Sequence, residues 1–504
     1  MTNVLFDALF SPLAGRSTDF LIRPDGTRLS GSDFLAMVHQ AANALVASGV
    51  QPGDRVAVQI GKSPMALAVY GAAVAAGAIF LPLNTAYTAD EIDYFVGNAT
   101  PRVLLCDAAK ADSLAPVANC HGAKLLALKE DETGSFAELC ASQPSAFTAV
   151  SRSGSDLAAV LYTSGTTGRS KGAMLSHSNL LSNAQTLARE WRFSENDVLL
   201  HALPIFHTHG LFVASNVMLL SGGSIIFLPG LNMDAMIRWM PEATSMMGVP
   251  TFYTRLLADP RFTKELTAHM RLFISGSAPL LAETHFEFEA RTGHRILERY
   301  GMTETNMNTS NPYEGERRAG TVGFPLPGVE VIISDQNTGN SLPQGEVGMI
   351  EVRGPNVFQG YWQMPEKTKE ELRENGFFIT GDLGMIDADG YVHIVGRQKD
   401  LIITGGYNVY PKEIELILDE QPGVLESAVV GVPHADFGEA VLGVLVAQKG
   451  ATPDISAIDA VLRTRLARFK QPKALVVVDE LPLNTMGKVQ KNELRRQFGE
   501  RFKS

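Results

Sequence analysis

The stretch "YTSGTTGRSKG", residues 162–172, contains three glycines, five serine or threonine residues and two cations in eleven positions. Apolar runs precede and follow it, so both of its ends are anchored, unlike those of a typical flexible linker. Glycines let a backbone approach a ligand closely, and hydroxyl groups and cations bind anions. We therefore predict a phosphate-binding loop, although its spacing does not match G-x-x-x-x-G-K-[ST]. The alternative is a flexible Gly- and Ser-rich surface loop.

The segments on both sides of this loop alternate short apolar runs with stretches of helix length, such as 32–48 and 90–98. This alternation predicts an α/β protein in which helices cover largely parallel sheets. After Pro325 the apolar runs are separated by Gly-rich turns, which is typical of a β-rich module. From Leu401 onward, mixed helical and strand-like segments predict a separate small α+β domain.

The chain has 504 residues, which is too many for one hydrophobic core, and a net charge of −11. An acidic balance disfavours nucleic-acid partners, because recognition of their backbone needs a basic face. The three cysteines, Cys106, Cys120 and Cys140, lack C-x-x-C spacing, so neither a disulfide framework nor a zinc site is expected. A reducing compartment, the cytoplasm, fits this cysteine usage.

Two segments bear on membrane association. Residues 1–20 carry Asp7 inside their apolar part and have no basic leader, which disfavours a signal peptide. Residues 65–81 are uncharged and nearly long enough to span a bilayer, but they are mostly Ala and Gly and stop at Pro82. We interpret them as a tightly packed interior helix and expect no integral membrane association.

Further motifs follow along the chain: "PIFHTHG" (204–210), "SGSAPL" (275–280), "RYGMTET" (299–305), "TGD" (380–382), "GRQKD" (396–400) and "PLNTMGKVQK" (482–491). Most are weak alone, since Gly-Asp and Gly-Arg pairs usually mark turns. In this order and spacing, together with the opening stretch, they resemble the acyl-adenylate-forming superfamily, which contains acyl-CoA synthetases, adenylation domains and luciferases. The resemblance covers nearly the whole chain. It implies a large N-terminal domain, residues 1–397, and a small mobile C-terminal domain, residues 398–504.

The resemblance also implies a reaction in two steps. A carboxylate attacks the α-phosphate of ATP to give an acyl-adenylate and pyrophosphate, and a thiol then displaces AMP. ATP and Mg²⁺ are the implied cofactors. Coenzyme A is the expected thiol, because the segment 489–504 after Lys488 leaves no room for a fused carrier domain. The residues expected to hold the β- and γ-phosphates are Thr163, Ser164, Thr166, Thr167 and Lys171.

Glu304 matches the magnesium-binding acid of the superfamily, and an oxygen ligand suits a hard cation that bridges phosphates. Thr303 is expected to donate to the α-phosphate. The alternative for this pair is the N-cap of a helix. The residues that the resemblance places around the nucleoside are Tyr300 on adenine, Ser277, Ala278 and Pro279 along the base, and Asp382 and Arg397 at the ribose.

Lys488 corresponds to the catalytic lysine of the superfamily, which bridges the attacking carboxylate and the α-phosphate. Lys399, in "GRQKD", corresponds to the hinge about which the small domain rotates between the two steps. Because acetylation removes the charge of a lysine, Lys488 is also a candidate target of a lysine acetyltransferase and a deacetylase.

Arg299 precedes "YGMTE", where relatives that use apolar acids generally carry a small or neutral residue. A buried guanidinium is costly without a paired anion. The string "ERYGMTET" resembles the malonyl-CoA synthetases of the superfamily, which implies that Arg299, with Ser277 and His207, binds the second carboxylate of malonate. Methylmalonate would also fit, because a pocket discriminates a methyl group by only about 1–3 kcal/mol.

Three hypotheses remain open from the residues alone. The first is a dicarboxylate–CoA ligase. The second is a ligase for a short monocarboxylic or aryl acid, in which Arg299 pairs internally with Glu298, Glu304 or Asp382. The third, a nucleotide sensor without activity, is disfavoured because Lys488, Glu304 and the phosphate loop are all present. His207 and His209 have metal-like spacing, but no further ligand cluster supports zinc.

Overall fold

The computed structural model describes residues 2–163, 170–336, 338–404, 407–434, 437–484 and 488–502. The strands are β1 (Asp19–Ile22), β2 (Arg28–Ser30), β3 (Arg55–Gln59), β4 (Ile79–Pro82), β5 (Val103–Cys106), β6 (Lys124–Ala127), β7 (Leu157–Thr163), β8 (Lys171–Ser176), β9 (Val198–His201), β10 (Ser224–Phe227), β11 (Ser245–Gly248), β12 (Leu272–Ser275), β13 (Leu297–Met302), β14 (Asn306–Ser310), β15 (Phe324–Pro325), β16 (Glu330–Ser334), β17 (Gly348–Arg353), β18 (Phe378–Ile386), β19 (Val392–Arg397), β20 (Ile402–Thr404), β21 (Tyr407–Val409), β22 (Val424–His434), β23 (Gly438–Ala447) and β24 (Ala474–Val478).

The α-helices are α1 (Val4–Leu9), α2 (Gly31–Ala47), α3 (Pro64–Ala75), α4 (Ala89–Ala99), α5 (Ala111–Cys120), α6 (Ser135–Ala141), α7 (His177–Glu190), α8 (Asn216–Ser221), α9 (Met233–Trp239), α10 (Pro250–Ala258), α11 (Lys264–Thr267), α12 (Ala282–Thr292), α13 (Pro365–Glu371), α14 (Pro411–Asp419), α15 (Ile455–Arg465) and α16 (Lys491–Phe498). Serine and threonine side chains cap several of them. In α2 and α4, Ser30 and Thr88 form capping boxes with the acids Asp33 and Glu91, which fixes where each helix begins.

The chain divides into two compact units, and the first consists of Met1–Leu280, Thr284–Val331 and Val352–Phe378. It contains a six-stranded sheet in the order β6-β5-β3-β4-β7-β8. All neighbouring strands of this sheet are parallel except β7 and β8. β3, β4 and β5 are apolar and almost wholly buried, as expected of strands covered by helices on both faces.

A second sheet in the first unit has nine strands in the order β15-β14-β13-β12-β11-β9-β10-β1-β2. Its central strands are parallel, and antiparallel pairs close its two edges. The carboxyl ends of parallel strands are where α/β sheets bind ligands. Here the ends of β12 and β13 lead into the motifs "SGSAPL" and "RYGMTET".

The apolar segment 65–81 divides between two elements. Every residue of α3 is buried, which confirms an interior helix as far as Ala75, and the segment then continues into strand β4. Within the described part of the chain, no helix is both long and apolar enough to cross a membrane.

The second unit consists of Leu281–Glu283, Ile332–Glu351 and Ile379–Ser504. Its C-terminal part is a mixed sheet in the order β21-β20-β23-β22, with β24 parallel to β23. Along β22 and β23, alternate side chains enter two separate apolar clusters. One cluster contains side chains of α14 and α15, and the other contains Leu494 of α16. Helices therefore cover both faces of this sheet.

The β-rich module after Pro325 is a four-stranded sheet in the order β16-β17-β18-β19. The predicted fold class, layered α/β subdomains with a β-rich module and a small C-terminal α+β part, is confirmed. The domain boundary between residues 397 and 398 stays a prediction.

Candidate active site

The phosphate-loop motif lies between β7 and β8, which form an antiparallel pair with Tyr162 opposite Gly172 and Thr163 opposite Lys171. A Cβ at Gly172 would lie 2.9 Å from the side chain of Val160, so only glycine fits at the foot of the loop without displacement of its neighbours. The predicted phosphate ligands Ser164, Thr166 and Thr167 lie outside the described residues.

Lys171, a predicted phosphate ligand, lies among the described residues at the start of β8. Its Nζ lies 2.9 Å from both carboxylate oxygens of Glu371 and 3.2 Å from the hydroxyl oxygen of Tyr361. The ammonium also lies 4.3 Å from the centre of the Tyr361 ring. These two partners hold the ammonium at the base of the loop.

Glu304 lies in the turn that connects β13 to β14, so the alternative of a helix N-cap at Thr303 is wrong. The side chain is only 4% exposed, and burial raises the pKa of its carboxyl group. Its Oε1 accepts a hydrogen bond from the Thr163 hydroxyl at 3.4 Å and lies 3.1 Å from the Tyr361 hydroxyl oxygen. The Glu304 carboxylate therefore lies beside Thr163 of the phosphate loop, and Tyr361 links it to Lys171.

These oxygen donors fit a magnesium ion. Mg²⁺ is bound through one or two carboxylates and otherwise by water and substrate phosphates. Glu304 is a buried carboxylate whose side-chain neighbours Thr163 and Tyr361 offer it neutral hydroxyls, and burial disfavours its charge. A bound cation would stabilise the ionised form.

Arg299 is buried in β13, with 3% of its surface exposed. Among the described residues its Nε and Nη2 have no hydrogen-bond partner, and no carboxylate forms an ion pair with it. Burial lowers the pKa of Arg299 to about 9. Glu298, one of the internal partners considered, forms no ion pair with Arg299 among the described residues, and its Oε1 lies 3.6 Å from the His285 Nδ1.

The loop after β12 lies beside this guanidinium. A Cβ at Gly276 would lie 2.3 Å from the Arg299 Cζ, and the next residue, Ser277, has a backbone φ of +71°. Few residues other than glycine adopt this left-handed conformation, and residues held in it cluster at active sites and ligand clamps. Ala278 is half-buried and Pro279 is exposed in the same loop.

His209 joins this cluster, and the sequence analysis did not assign it a role at the substrate site. Its Nδ1 lies 3.2 Å from the Ser277 hydroxyl, and burial, together with the charge of Arg299, lowers its pKa well below the ordinary value. The residue begins a fully buried π-helical turn, His209–Ser215, a conformation that is frequent at functional sites. His207, which the sequence analysis did select, is half-buried, with its ring 4.6 Å from that of Phe206.

The other predicted nucleotide residues fall into two groups. Tyr300 is half-buried in β13 and Thr303 lies in the following turn, both in the first unit. Asp382 and Arg397 lie opposite each other on β18 and β19 of the second unit, where the Arg397 Nε is 3.0 Å from the Asp382 Oδ1.

Lys399 and Lys488 also belong to the second unit. Lys399 lies in a 3₁₀ turn, Gln398–Asp400, and burial lowers the pKa of its ammonium. Lys488 is half-buried, and its backbone N–H donates to the Asn484 side chain at 2.9 Å. Residues 485–487 lie outside the described residues.

Tyr361 and Glu371 are functional candidates that the sequence analysis missed. Tyr361 lies in "PNVFQGYW" (355–362) and Glu371 in "PEKTKEE" (365–371), and neither stretch contains a pattern specific for phosphate or metal. No cluster of three or more histidine, cysteine or acidic side chains suited to a metal occurs in the described ranges.

Comparisons with known proteins agree with this architecture. The family of AMP-binding enzymes matches residues 14–362, and the AMP-binding enzyme C-terminal domain matches residues 413–488. A feruloyl-CoA synthase from Amycolatopsis sp is 36% identical over 95% of this chain and 96% of that protein. A malonate–CoA ligase from Arabidopsis thaliana is 35% identical over 84% of this chain and 74% of that protein.

Among solved structures, the ATP-bound MatB from Rhodopseudomonas palustris is 58% identical and superposes with a TM-score of 0.98, with both chains fully covered. The match to the family covers more than half of the sequence, and it includes both the phosphate-loop motif and the residues around Glu304. This protein belongs to the AMP-binding enzyme family.

Proposed function

We propose that this protein is an AMP-forming acid–CoA ligase that joins malonate to coenzyme A. ATP and malonate give malonyl-adenylate and pyrophosphate, and the thiol of coenzyme A then displaces AMP to give malonyl-CoA. The similarity to malonate–CoA ligases supports this assignment. The single observation that carries it is the buried guanidinium of Arg299, which has no ion-pair partner among the described residues.

A buried cation without a paired anion is costly, and truncating one partner of a buried pair typically costs several kcal/mol. A substrate that brings a second carboxylate removes this cost, because guanidinium binds carboxylate through two parallel hydrogen bonds. Nε and Nη2 of Arg299 are the two donors that remain for such a pair. A monocarboxylic acid would leave them unsatisfied, so the site discriminates in favour of a dicarboxylate.

Ser277 and His209 complete the proposed acid site. The Ser277 hydroxyl can donate to the substrate carboxylate while it contacts His209, and the low pKa of His209 keeps the imidazole neutral beside Arg299. A neutral imidazole does not compete with Arg299 for the anion. We retain His207 as a further contact to the substrate. Methylmalonate is a second substrate, because one extra methyl group changes binding by only about 1–3 kcal/mol.

For ATP we propose three groups of ligands. Thr163, Ser164, Thr166, Thr167 and Lys171 hold the β- and γ-phosphates, Thr303 donates to the α-phosphate, and Tyr300, Ser277, Ala278, Pro279, Asp382 and Arg397 hold the nucleoside. Glu304 would hold Mg²⁺, which neutralises phosphate charge when it is bound. The Thr163 hydroxyl orients the Glu304 carboxylate by hydrogen bonding, and the Tyr361 hydroxyl oxygen lies 3.1 Å from it.

For the second unit we propose Lys488 as the cation that stabilises charge on the α-phosphate during adenylation. Lys399 remains the proposed hinge, with 1–397 and 398–504 as the domains that rotate between the two steps. We also propose a cytoplasmic location.

Acetylation of Lys488 by a lysine acetyltransferase, reversed by a deacetylase, would silence adenylation by removing the positive charge of Lys488. Normal activity of the fully acetylated protein would contradict this last proposal.

The test is acid-dependent AMP formation with ATP, Mg²⁺ and coenzyme A, in which malonate, methylmalonate, acetate, butyrate and benzoate are compared. Wild type should prefer malonate, and Arg299→Ala should lose that preference. Arg295→Ala, which removes an exposed guanidinium paired with Glu289, is the matched control. A monocarboxylate preference that Arg299→Ala leaves unchanged would contradict malonate as the substrate and leave the ligase assignment intact. Absence of AMP formation with every acid would contradict both.

A further inference from the structure

Glu371 is the last residue of α13. Together with Tyr361 it accepts hydrogen bonds from all three hydrogens of the Lys171 ammonium. The two carboxylate oxygens of Glu371 lie 2.9 Å from the Lys171 Nζ, and the Tyr361 hydroxyl oxygen lies 3.2 Å from it. An ammonium has three donors and no acceptor. Lys171 therefore has no hydrogen left for a phosphate unless one of these contacts opens.

Glu371 is itself held by several groups. The Tyr361 hydroxyl donates to its Oε2 at 2.6 Å, and Lys367, one helical turn earlier, lies 3.0 Å from its Oε1. Although burial raises the pKa of Glu371, the hydrogen bonds from Tyr361, Lys171 and Lys367 lower it below the ordinary value overall. Glu371 is thus an ionised carboxylate that remains next to Lys171.

We propose that Glu371 competes with polyphosphate for Lys171 and in this way limits how tightly ATP and pyrophosphate bind. It is a positioning residue, since it acts through Lys171 and Tyr361 and not on the reacting atoms. The inference rests on the proposed ATP-dependent function, in which Lys171 holds the β- and γ-phosphates. It adds a residue that belongs to none of the recognised motifs.

Two physical effects act in the same direction. A phosphate oxygen that binds Lys171 must displace one of its three contacts, and two of these are hydrogen bonds to the charged Glu371 carboxylate, which are about twice as strong as neutral ones. The negative charge of Glu371 also repels an approaching polyphosphate, and this repulsion is weakly screened because Lys171 and Glu371 are both largely buried. Replacing the carboxylate with an amide of the same shape removes both effects and retains a hydrogen-bond acceptor.

The test is the dissociation constant of magnesium pyrophosphate and of magnesium ATP, measured by titration calorimetry without acid or coenzyme A. Glu371→Gln should bind both ligands about three- to tenfold more tightly than wild type, as expected when a charged competitor becomes neutral. The KM for ATP should fall without a rise in kcat, because pyrophosphate is also released more slowly. Glu371→Asp, which keeps the charge but shortens the side chain, should lie between wild type and Glu371→Gln.

Glu370→Gln is the matched control, because Glu370 lies on the same helix and forms an ion pair with Lys367 at 2.7 Å. In a Lys171→Met background, Glu371→Gln should give a smaller gain in binding than in wild type, since competition for the ammonium is gone and only the repulsion between Glu371 and the polyphosphate remains. Unchanged or weaker binding by Glu371→Gln, or the same gain in the Lys171→Met background, would overturn the inference. If wild type bound neither ligand, the proposed ATP-dependent function would fail as well.

Discussion

The Arg299 guanidinium lies directly over Gly276, so close that a Cβ on that glycine would be 2.3 Å from the Cζ and Nη1 and 2.6 Å from the Nε. The missing side chain at Gly276 therefore leaves the space that the Arg299 guanidinium fills. The two residues come together because β12 and β13 are parallel neighbours, with Ser275 opposite Glu298. The absence of a side chain at position 276 is thus part of the proposed carboxylate site.

This contact predicts the effect of Gly276→Ala. The new methyl group cannot coexist with the guanidinium, so Arg299 must shift, and a small displacement of a positioning group can cost about 100-fold in rate. We expect the KM for malonate to rise at least tenfold while the KM for ATP changes little.

Gly230→Ala is the control, because no atom lies within 4 Å of a Cβ at that glycine. Malonate kinetics and circular dichroism of the three proteins would be compared. If Gly276→Ala folds and has wild-type malonate kinetics, Arg299 does not bind the second carboxylate.

Lys488→Ala should separate the two half-reactions. If Lys488 stabilises charge only on the α-phosphate, the variant loses adenylation by a factor of about 100 to 1,000, as is typical when one electrostatic stabiliser is removed. Thioester formation from preformed malonyl-adenylate should stay within about threefold of wild type. Pyrophosphate release and single-turnover thioester formation would be measured separately, with the exposed Lys449→Ala as the control. Equal loss in both steps would contradict this role.

Lys62 is a buried lysine, and its substitution should destabilise the first unit. Its Nζ lies 2.8 Å from both the Nδ1 and the carbonyl oxygen of His201, and 2.9 Å from the Leu203 carbonyl oxygen. Lys62→Met would leave the His201 Nδ1 and the Leu203 carbonyl oxygen without this donor, while the His201 carbonyl oxygen keeps its hydrogen bond from the Leu228 N–H. We expect the free energy of unfolding to fall by about 2–3 kcal/mol. Denaturant titration of Lys62→Met and of the exposed control Lys129→Met would measure this. Equal stability of the two variants would contradict the structural role of Lys62.

His177 should make stability depend on pH in acid. It is 0% exposed, neither ring nitrogen has a hydrogen-bond partner in the described ranges, and burial lowers its pKa from 6.5 to about 4. Below pH 6.5 the unfolded chain binds a proton at this imidazole that the folded protein does not take up until about pH 4. The contribution is therefore fully favourable above pH 6.5 and is lost as the pH falls toward 4.

Relative to His177→Leu, wild type should lose about 2 kcal/mol of stability between pH 6.5 and pH 5, since 1.5 pH units correspond to that free energy. The difference between the two proteins' free energies of unfolding would be measured across this range by urea titration. A constant difference would show that His177 does not remain neutral in the folded protein.

Local patterns were sufficient to predict the fold class and the family. The helix predicted over residues 32–48 is α2, Gly31–Ala47, and the one predicted over 90–98 is α4, Ala89–Ala99. Both have an apolar stripe and a capping box, which are features of neighbouring residues. The apolar segment 65–81 was harder to divide, because periodicity does not separate a fully buried helix from a buried strand.

The candidate site could be predicted only where motifs marked it. Glu304, Lys171 and Arg299 stood out in the sequence, but whether Arg299 was paired internally could not be decided there, because Glu298 is adjacent in the chain and yet contacts His285. The predicted roles of these residues stay predictions. Glu371 was not found at all, since it lies 200 positions from Lys171 and carries no motif.

The sequence by itself determined the order of helices and strands, the phosphate-loop motif and membership of the AMP-binding enzymes, because these depend on side chains that are close along the chain. Only the tertiary structure decided that Arg299 is buried without an ion-pair partner among the described residues and that Lys171 meets Glu371. The electrostatic free energy of each charged group depends on its desolvation and on the groups that the fold brings within about 4 Å. Neither can be derived from residues that are neighbours along the chain.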